Sequence, residues 1–249
     1  MKSGTILAAA AAALLLPTLS SAVEIRVLAS GATRDAYVEA VPQFEKATGH
    51  TVVTTWTGSA NIKKRIAAGE VYDLVIVGAP VIDAFVQQGK VVAGSRVDLM
   101  KSGVGVGVRA GASRPDISSS GNLKKAVLEA KSIGYSTGPS GDYVIKLLER
   151  MGIADQVRPK LKQVPSGERI GTFISSGEAE IGFQQVSELI DAPGVDYLGP
   201  LPPEVQQTTV FSAGIHSGAK EAKAAKELVE FLTGPAAASA IRKHGMEPG

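Results

Sequence analysis

The chain has 249 residues, room for one large domain or two modest ones, and its 44% apolar and 20% charged residues are those of a globular protein rather than a disordered one. Lysine and arginine number 26 against 24 aspartate and glutamate, a net charge of +2 that offers no electrostatic footprint for nucleic acid or an anionic membrane surface. Cysteine is absent, which excludes disulfides, thiolate metal sites, a cysteine nucleophile and a lipid-modified cysteine anchor; aromatics at 5% are too few to suggest a stacking platform.

Met1 to Ala22 reads as a cleaved secretory signal. Lys2 supplies the positive charge, Ile6 to Leu16 an uncharged apolar run, Pro17 a break, and Ser20-Ser21-Ala22 the small residues a peptidase inspects. The run falls well short of the about 20 apolar residues a membrane span needs. The chain from Val23 onward is therefore expected to be exported and soluble, in the periplasm.

From Val23 the pattern alternates strand and helix. Glu24 to Ala29 is a β-rich run, Ser30-Gly31-Ala32-Thr33 a turn, and Arg34 to Thr48 a helix with Ala36, Val41, Phe44 and Ala47 on one side and Gly49 as its cap. Thr51 to Trp56 is a second strand, Thr57-Gly58-Ser59 a second turn, and Asn61 to Ala68 a basic helix closed by Gly69. Asp73 to Val77 is a continuous apolar strand of the kind buried on both faces, followed by the helix Val81 to Gln88. This order predicts a parallel sheet with helices on both faces, whose ligands bind beyond the carboxyl ends of the strands. The strand-to-helix turns there offer free backbone N–H groups, which suit an anion.

Val104 to Val108 alternates with Gly103, Gly105 and Gly107. That spacing does not fit a dinucleotide fingerprint and reads better as a thin strand crossing between two lobes. A second lobe then repeats the grammar of the first. Helices are expected at Leu123–Lys131, Asp142–Met151 and Glu168–Ser176, and strands at Ser132–Tyr135, Lys162–Val164, Glu180–Gln185 and Val195–Leu198. The strand Thr208–Ile215 returns toward the first lobe, and helices Lys220–Leu232 and Pro235–Lys243 close the chain. The expected division is 23–103 plus 214–249 for lobe 1 and 104–213 for lobe 2. Two such α/β lobes joined by two crossings make a clamshell. Its cleft is lined by four turns, Ser30 to Thr33, Thr57 to Asn61, Thr137 to Tyr143 and Ser166 to Ile170.

On these residues the sequence resembles the periplasmic solute-binding proteins of ABC importers, type II fold, in the molybdate-binding branch. The motifs are V-L-A-S-G-A-T (27–33), I-A-A-G-E-V-Y-D-L-V-I (66–76) and Q-Q-G-K-V (87–91) in the first lobe. P-S-G-D-Y (139–143), S-G-E-A-E-I-G-F (176–183) and F-L-T-G-P-A-A-A (231–238) follow in the family's order. The resemblance implies a two-lobed clamshell with mainly parallel sheets, a small oxyanion such as molybdate or tungstate as ligand, an inner-membrane ABC permease as partner, a monomer, and no cofactor. It places the ligand among Ser30, Gly31, Ala32 and Thr33, Ser59, Ser140, Gly141 and Tyr143, and Gly167. Ala32 stands where the family's first serine falls, and Gln185 where its tyrosine falls. Arg34 and Arg169 stand near the pocket instead, and an arginine fork matches a carboxylate. A small carboxylate ligand is thus an alternative, unless the two arginines merely pair with Asp35 or Glu168 on helix surfaces. The resemblance also takes in an aconitate isomerase, which keeps a periplasmic enzyme as a further alternative. No acid–base, nucleophile or metal motif surrounds His50, His216 or His244. His50 and His244 read as surface residues, and Asp73, opening a buried strand, as a residue with a structural partner. The reading is therefore a binding protein rather than an enzyme, acting by hinge closure.

Overall fold

The structure, a computed structural model, describes residues 22–249. The expected signal segment lies outside the described residues, Ala22 apart. The first half of the chain forms β1 (Glu24–Ser30), α1 (Arg34–Thr48), β2 (Thr51–Thr57), α2 (Ser59–Ala67), β3 (Leu74–Gly78), α3 (Ala79–Gln87) and β4 (Val97–Arg109). There follow α4 (Ser120–Glu129), β5 (Ile133–Tyr135), α5 (Pro139–Arg150), α6 (Ala154–Val157), β6 (Leu161–Gln163), α7 (Ile170–Ser176), β7 (Ile181–Gln185) and α8 (Val186–Leu189). The chain closes with β8 (Val195–Pro200), β9 (Thr208–Ile215), α9 (Ala222–Thr233), α10 (Pro235–Lys243) and β10 (Glu247–Pro248).

Strands β2, β1 and β3 pair in parallel, and β9 runs antiparallel beside β3. The all-apolar β3 is buried along its whole length, as a strand covered on both faces must be. One face packs against α1, α9 and α10 through Phe44, Phe211, Leu228 and Ile241. The other packs against α2 and α3 through Ile62, Ile66, Ile82 and Phe85. Above β2, the chain's single tryptophan, Trp56, meets Tyr37 of α1 edge to face at 5.1 Å between ring centres. The second lobe has the same plan: β5 lies parallel between β6 and β7, with cores built on Val106, Ile133, Leu147 and Phe183 and on Ile170, Ile174 and Leu189.

A single strand, β4, serves both sheets. Its first part, Val97–Gly103, pairs with β9, and Val104–Val108 pairs with β7. The alternation seen in the sequence is explained by its two faces. Val104, Val106 and Val108 fill the second core, while a Cβ on Gly105 or Gly107 would lie 2.9 Å from Tyr197 or 2.8 Å from Val195. The expected crossing is thus part of a longer strand. β9 lies wholly in the first sheet, paired with β3 and β4 from Thr208 onward, whereas the sequence reading assigned residues 208–213 to the second lobe.

Helix starts differ by two or three residues from expectation. α2, α3 and α5 begin at Ser59, Ala79 and Pro139; in α3 and α5 a proline in the first turn lacks only an N–H that has no helical partner there. His50, expected at the surface, is 3% exposed. Its Nδ1 accepts from the backbone of Val23 and its Nε2 faces Glu227 at 3.4 Å. Asp73 has the structural partners expected of it: its carboxylate accepts from the N–H groups of Arg26, Lys220 and Glu221.

Candidate functional site

Where the two lobes meet, the ends of β1, β2, β5 and β7 face one another across a narrow cavity of about 40 Å³. Its walls are the turns Ser30-Gly31-Ala32, Thr57-Gly58-Ser59, Ser136 to Pro139 and Gly167-Glu168, with Gln184, Gln185, Glu188 and Phe211 between them. Each of these turns delivers the chain from a strand into a helix. The N-terminal residues of the 3-10 turn before α1, of α2 and of α5 are Ser30, Gly58 and Gly138, and none makes a side-chain cap. The first N–H groups of the 3-10 turn and of α2 therefore keep their positive polarity beside the cavity, whereas at α5 Pro139 has no N–H and Gly141 donates to Ser136 Oγ. One hydroxyl joins them. Ser59 Oγ and Ser166 Oγ are both buried with no hydrogen-bond partner in the protein, and of the two only Ser59 lines the cavity, Ser166 packing against Gly58 beside it. Buried polar groups are nearly always paired, so the orphan hydroxyl of Ser59 marks a place for a polar guest.

The lobes touch around this cavity. Gly58 approaches Ser166 and Gly167 so closely that a Cβ on it would lie 2.5 Å from Ser166 Oγ. Asn61 donates to the carbonyl of Ser166, and Ser187 to that of Ala32. Arg169 reaches from the second lobe to Asp35 on α1, its Nη2 lying 2.9 Å from both carboxylate oxygens. The described state is closed.

Of the residues singled out in the sequence, Ser30, Gly31, Ala32, Ser59, Gly167 and Gln185 line the cavity. Thr33 is buried beneath it, its hydroxyl donating to Ser30's carbonyl, and Arg34 is exposed on the outer side of α1. Ser140 lies within hydrogen-bond distance of Ser136 Oγ at 3.0 Å rather than facing the cavity. Gly141 packs on the backbone of Ser136, which leaves no space for a Cβ. Tyr143 donates to Val205's carbonyl and borders a separate, open hollow with Asp142 and Lys146. Arg169 pairs with Asp35, but across the cleft rather than along a helix surface. Gln185 lines the wall without offering its amide to the space. In the orientation that satisfies both ends, its nitrogen donates to the carbonyls of Ser102 and Gly103 in β4 and its oxygen accepts from Thr209 in β9, tying the second lobe's β7 to both strands.

Sequence reasoning missed Ser136, Gln184, Phe211 and Glu188. The last two polar ones work together: Gln184 Oε1 accepts from Ile170's N–H at 2.6 Å, and its Nε2 donates to Glu188 Oε1 at 2.9 Å. Burial pushes the Glu188 carboxyl up to about 7; Arg169 pulls it down and Asp35 pushes it up, both less strongly.

Neutral dipoles and hydroxyls around a small enclosed space can hold an anion stripped of water. At roughly 10–15 Å³ for each water-sized guest, the space takes about three waters or one small tetrahedral ion. Among the described residues no cluster of histidine and carboxylate side chains could hold a metal, and no helix is long and apolar enough to cross a membrane.

Comparison with known proteins matches residues 25–247 to the family model of bacterial extracellular solute-binding proteins. An aconitate isomerase of a Pseudomonas species is 35% identical over 230 residues, 90% of this chain and 87% of that one. The molybdate-binding protein ModA of Azotobacter vinelandii is 27% identical over 93% of this chain and 92% of its own. The solved periplasmic molybdate-binding protein of A. vinelandii superposes with a TM-score of 0.76 at 21% identity, over 89% of this chain and 98% of that one.

Proposed function

This chain belongs to the family of bacterial extracellular solute-binding proteins, and on that premise we propose that it is the periplasmic binding component of an ABC importer for a small tetrahedral oxyanion of the molybdate and tungstate class. The observation that carries the reading is the cavity of about 40 Å³ between the lobes, walled by strand-to-helix turns of both and by the orphan hydroxyl of Ser59. An extended tricarboxylate is far larger than that space. Capture proceeds by hinge closure. The anion docks on the turns of one lobe, and the other lobe adds its own only when the cleft shuts, so the ligand favours the closed form through contacts it gains from both. The closed form is what the inner-membrane permease receives.

The test is thermal unfolding against molybdate, tungstate, sulfate, phosphate, citrate and the two aconitates. A ligand at about a hundred times its dissociation constant adds about 2.7 kcal/mol of stability. Stabilisation by molybdate and tungstate supports the reading; stabilisation by tricarboxylates alone refutes it.

One observation favours a second reading, an isomerase of the kind its 35% identical relative is named for. Glu188, with a carboxyl poised near neutrality on the cavity wall, is what a proton transfer between two carbons of an unsaturated acid requires. Such a substrate enters only if the cleft opens wider than in the closed state. Incubating each aconitate with the protein and following the mixture by NMR separates the two readings: a binding protein leaves it unchanged, an isomerase brings both samples to one composition.

A further inference from the structure

Glu188 is the one carboxylate held by the hydrogen-bond network on the cavity wall, and in an anion site a carboxylate needs an explanation. Its Oε1 is fixed by Gln184 and lies 3.8 Å from where a Cβ on Gly31 would stand, beside one of the uncapped helix starts. The neighbouring guanidinium does not neutralise it by contact, because the Nη2 of Arg169 is committed to Asp35 at 2.9 Å. Two carboxylates thus share one cation before any guest arrives. Gln184 of β7 and Gly31, which lie beside it, are neutral, and Arg169 and Asp35 are the charged groups that act on it. Glu168, on the same wall, is exposed and acidic, while His244 beyond α10 is engaged by Glu39 and Asp191.

Resting on the oxyanion reading above, we propose that this site binds a doubly charged oxyanion together with one proton, shared between Glu188 and a ligand oxygen. A protonated Glu188 turns from a repelling charge into a hydrogen-bond donor, the counterpart of the Ser59 hydroxyl. The carboxyl's displacement to about 7 places that exchange in the working range of pH. The specificity that follows is for fully deprotonated dianions in mildly acidic to neutral surroundings.

Calorimetric titration of the full protein with molybdate and with sulfate, from pH 5.5 to 8.5, tests this. Measurement at pH 8 in two buffers of different protonation enthalpy counts the protons. The expected result is a dissociation constant that is level below about pH 7 and rises about tenfold per pH unit above it, with about one proton taken up per anion at pH 8. Glu188→Gln, which keeps a donor at that position, is expected to bind with an affinity that no longer follows pH and to exceed the native protein about tenfold at pH 8. Anion binding that is level across the range with no proton uptake overturns the proposal and leaves the pocket reading intact. The proton count on the native protein decides the matter even if the variant does not fold. Absence of binding by molybdate, tungstate and sulfate at every pH overturns the pocket reading, and this proposal with it.

Discussion

Ser59 and Ser166 each keep a hydroxyl buried without a partner in the protein, and that of Ser59 stands on the cavity wall, where a bound anion can accept from it. Ser59→Ala is therefore expected to leave the unfolding free energy of the empty protein unchanged or slightly raised, by urea titration, while weakening anion binding by about 1–3 kcal/mol, roughly 5- to 150-fold. A hydroxyl with a merely structural part would give the reverse pattern, lower stability and unchanged affinity. Individual residues were only partly legible in the sequence. Ser30, Gly31 and Ser59 could be read because each sits in a strand-to-helix turn, and such turns are local. The part of Glu188 could not, because its partners Gln184, Arg169 and Asp35 are brought together from α1 to α8 by the fold alone. Arg34 and Arg169 looked alike as letters, and only the structure sends one to solvent and the other across the cleft.

Elements were more legible than residues. The order of strands, turns and helices from Glu24 to Lys243 follows from apolar period and from glycine at the helix ends. What escaped were junctions. α8 escaped because its four residues follow β7 without a break, and the true start of α5 because Pro139 and Gly141 imitate a turn. That start is tightly built. A Cβ on Gly141 would overlap the carbonyl of Ser136, at 1.8 Å, whereas Gly138 has nothing nearer than 3.8 Å and a backbone angle open to any residue. Gly141→Ala should lower the unfolding free energy, measured by urea titration, by about 1–3 kcal/mol or more, and Gly138→Ala should not. Equal tolerance of both would show that α5 can shift away from β5 freely, and with it the third wall of the cavity.

At the scale of the whole molecule, closure rests on few polar links: Arg169 to Asp35, Asn61 to Ser166 and Ser187 to Ala32. The ion pair is partly exposed, about a third of each side chain, so solvent screening limits it to about 0–1 kcal/mol. Arg169→Ala should accordingly shift the empty protein toward an open form, seen as a larger radius of gyration by small-angle scattering. It should weaken anion binding by no more than about fivefold. Raising the salt concentration should move the native protein part of the way in the same direction. A loss of affinity of a hundredfold or more would instead mean that Arg169 touches the ligand itself. Strand β4 runs on from the first sheet, where it pairs with β9 through a register shift between Asp98 and Met100, into the second, and Gln185 of β7 ties to both strands where it crosses.

The lone tryptophan has a practical consequence. Trp56 precedes the cavity-lining Thr57 by one residue and rests against the edge of Tyr37, in the one lobe that holds it. All indole emission from this protein thus arises at a single point beside the cleft, with no other tryptophan to dilute it. Mixing with an anion in a stopped-flow fluorimeter should resolve arrival and closure as successive phases in unlabelled protein, which makes the molecule its own optical sensor.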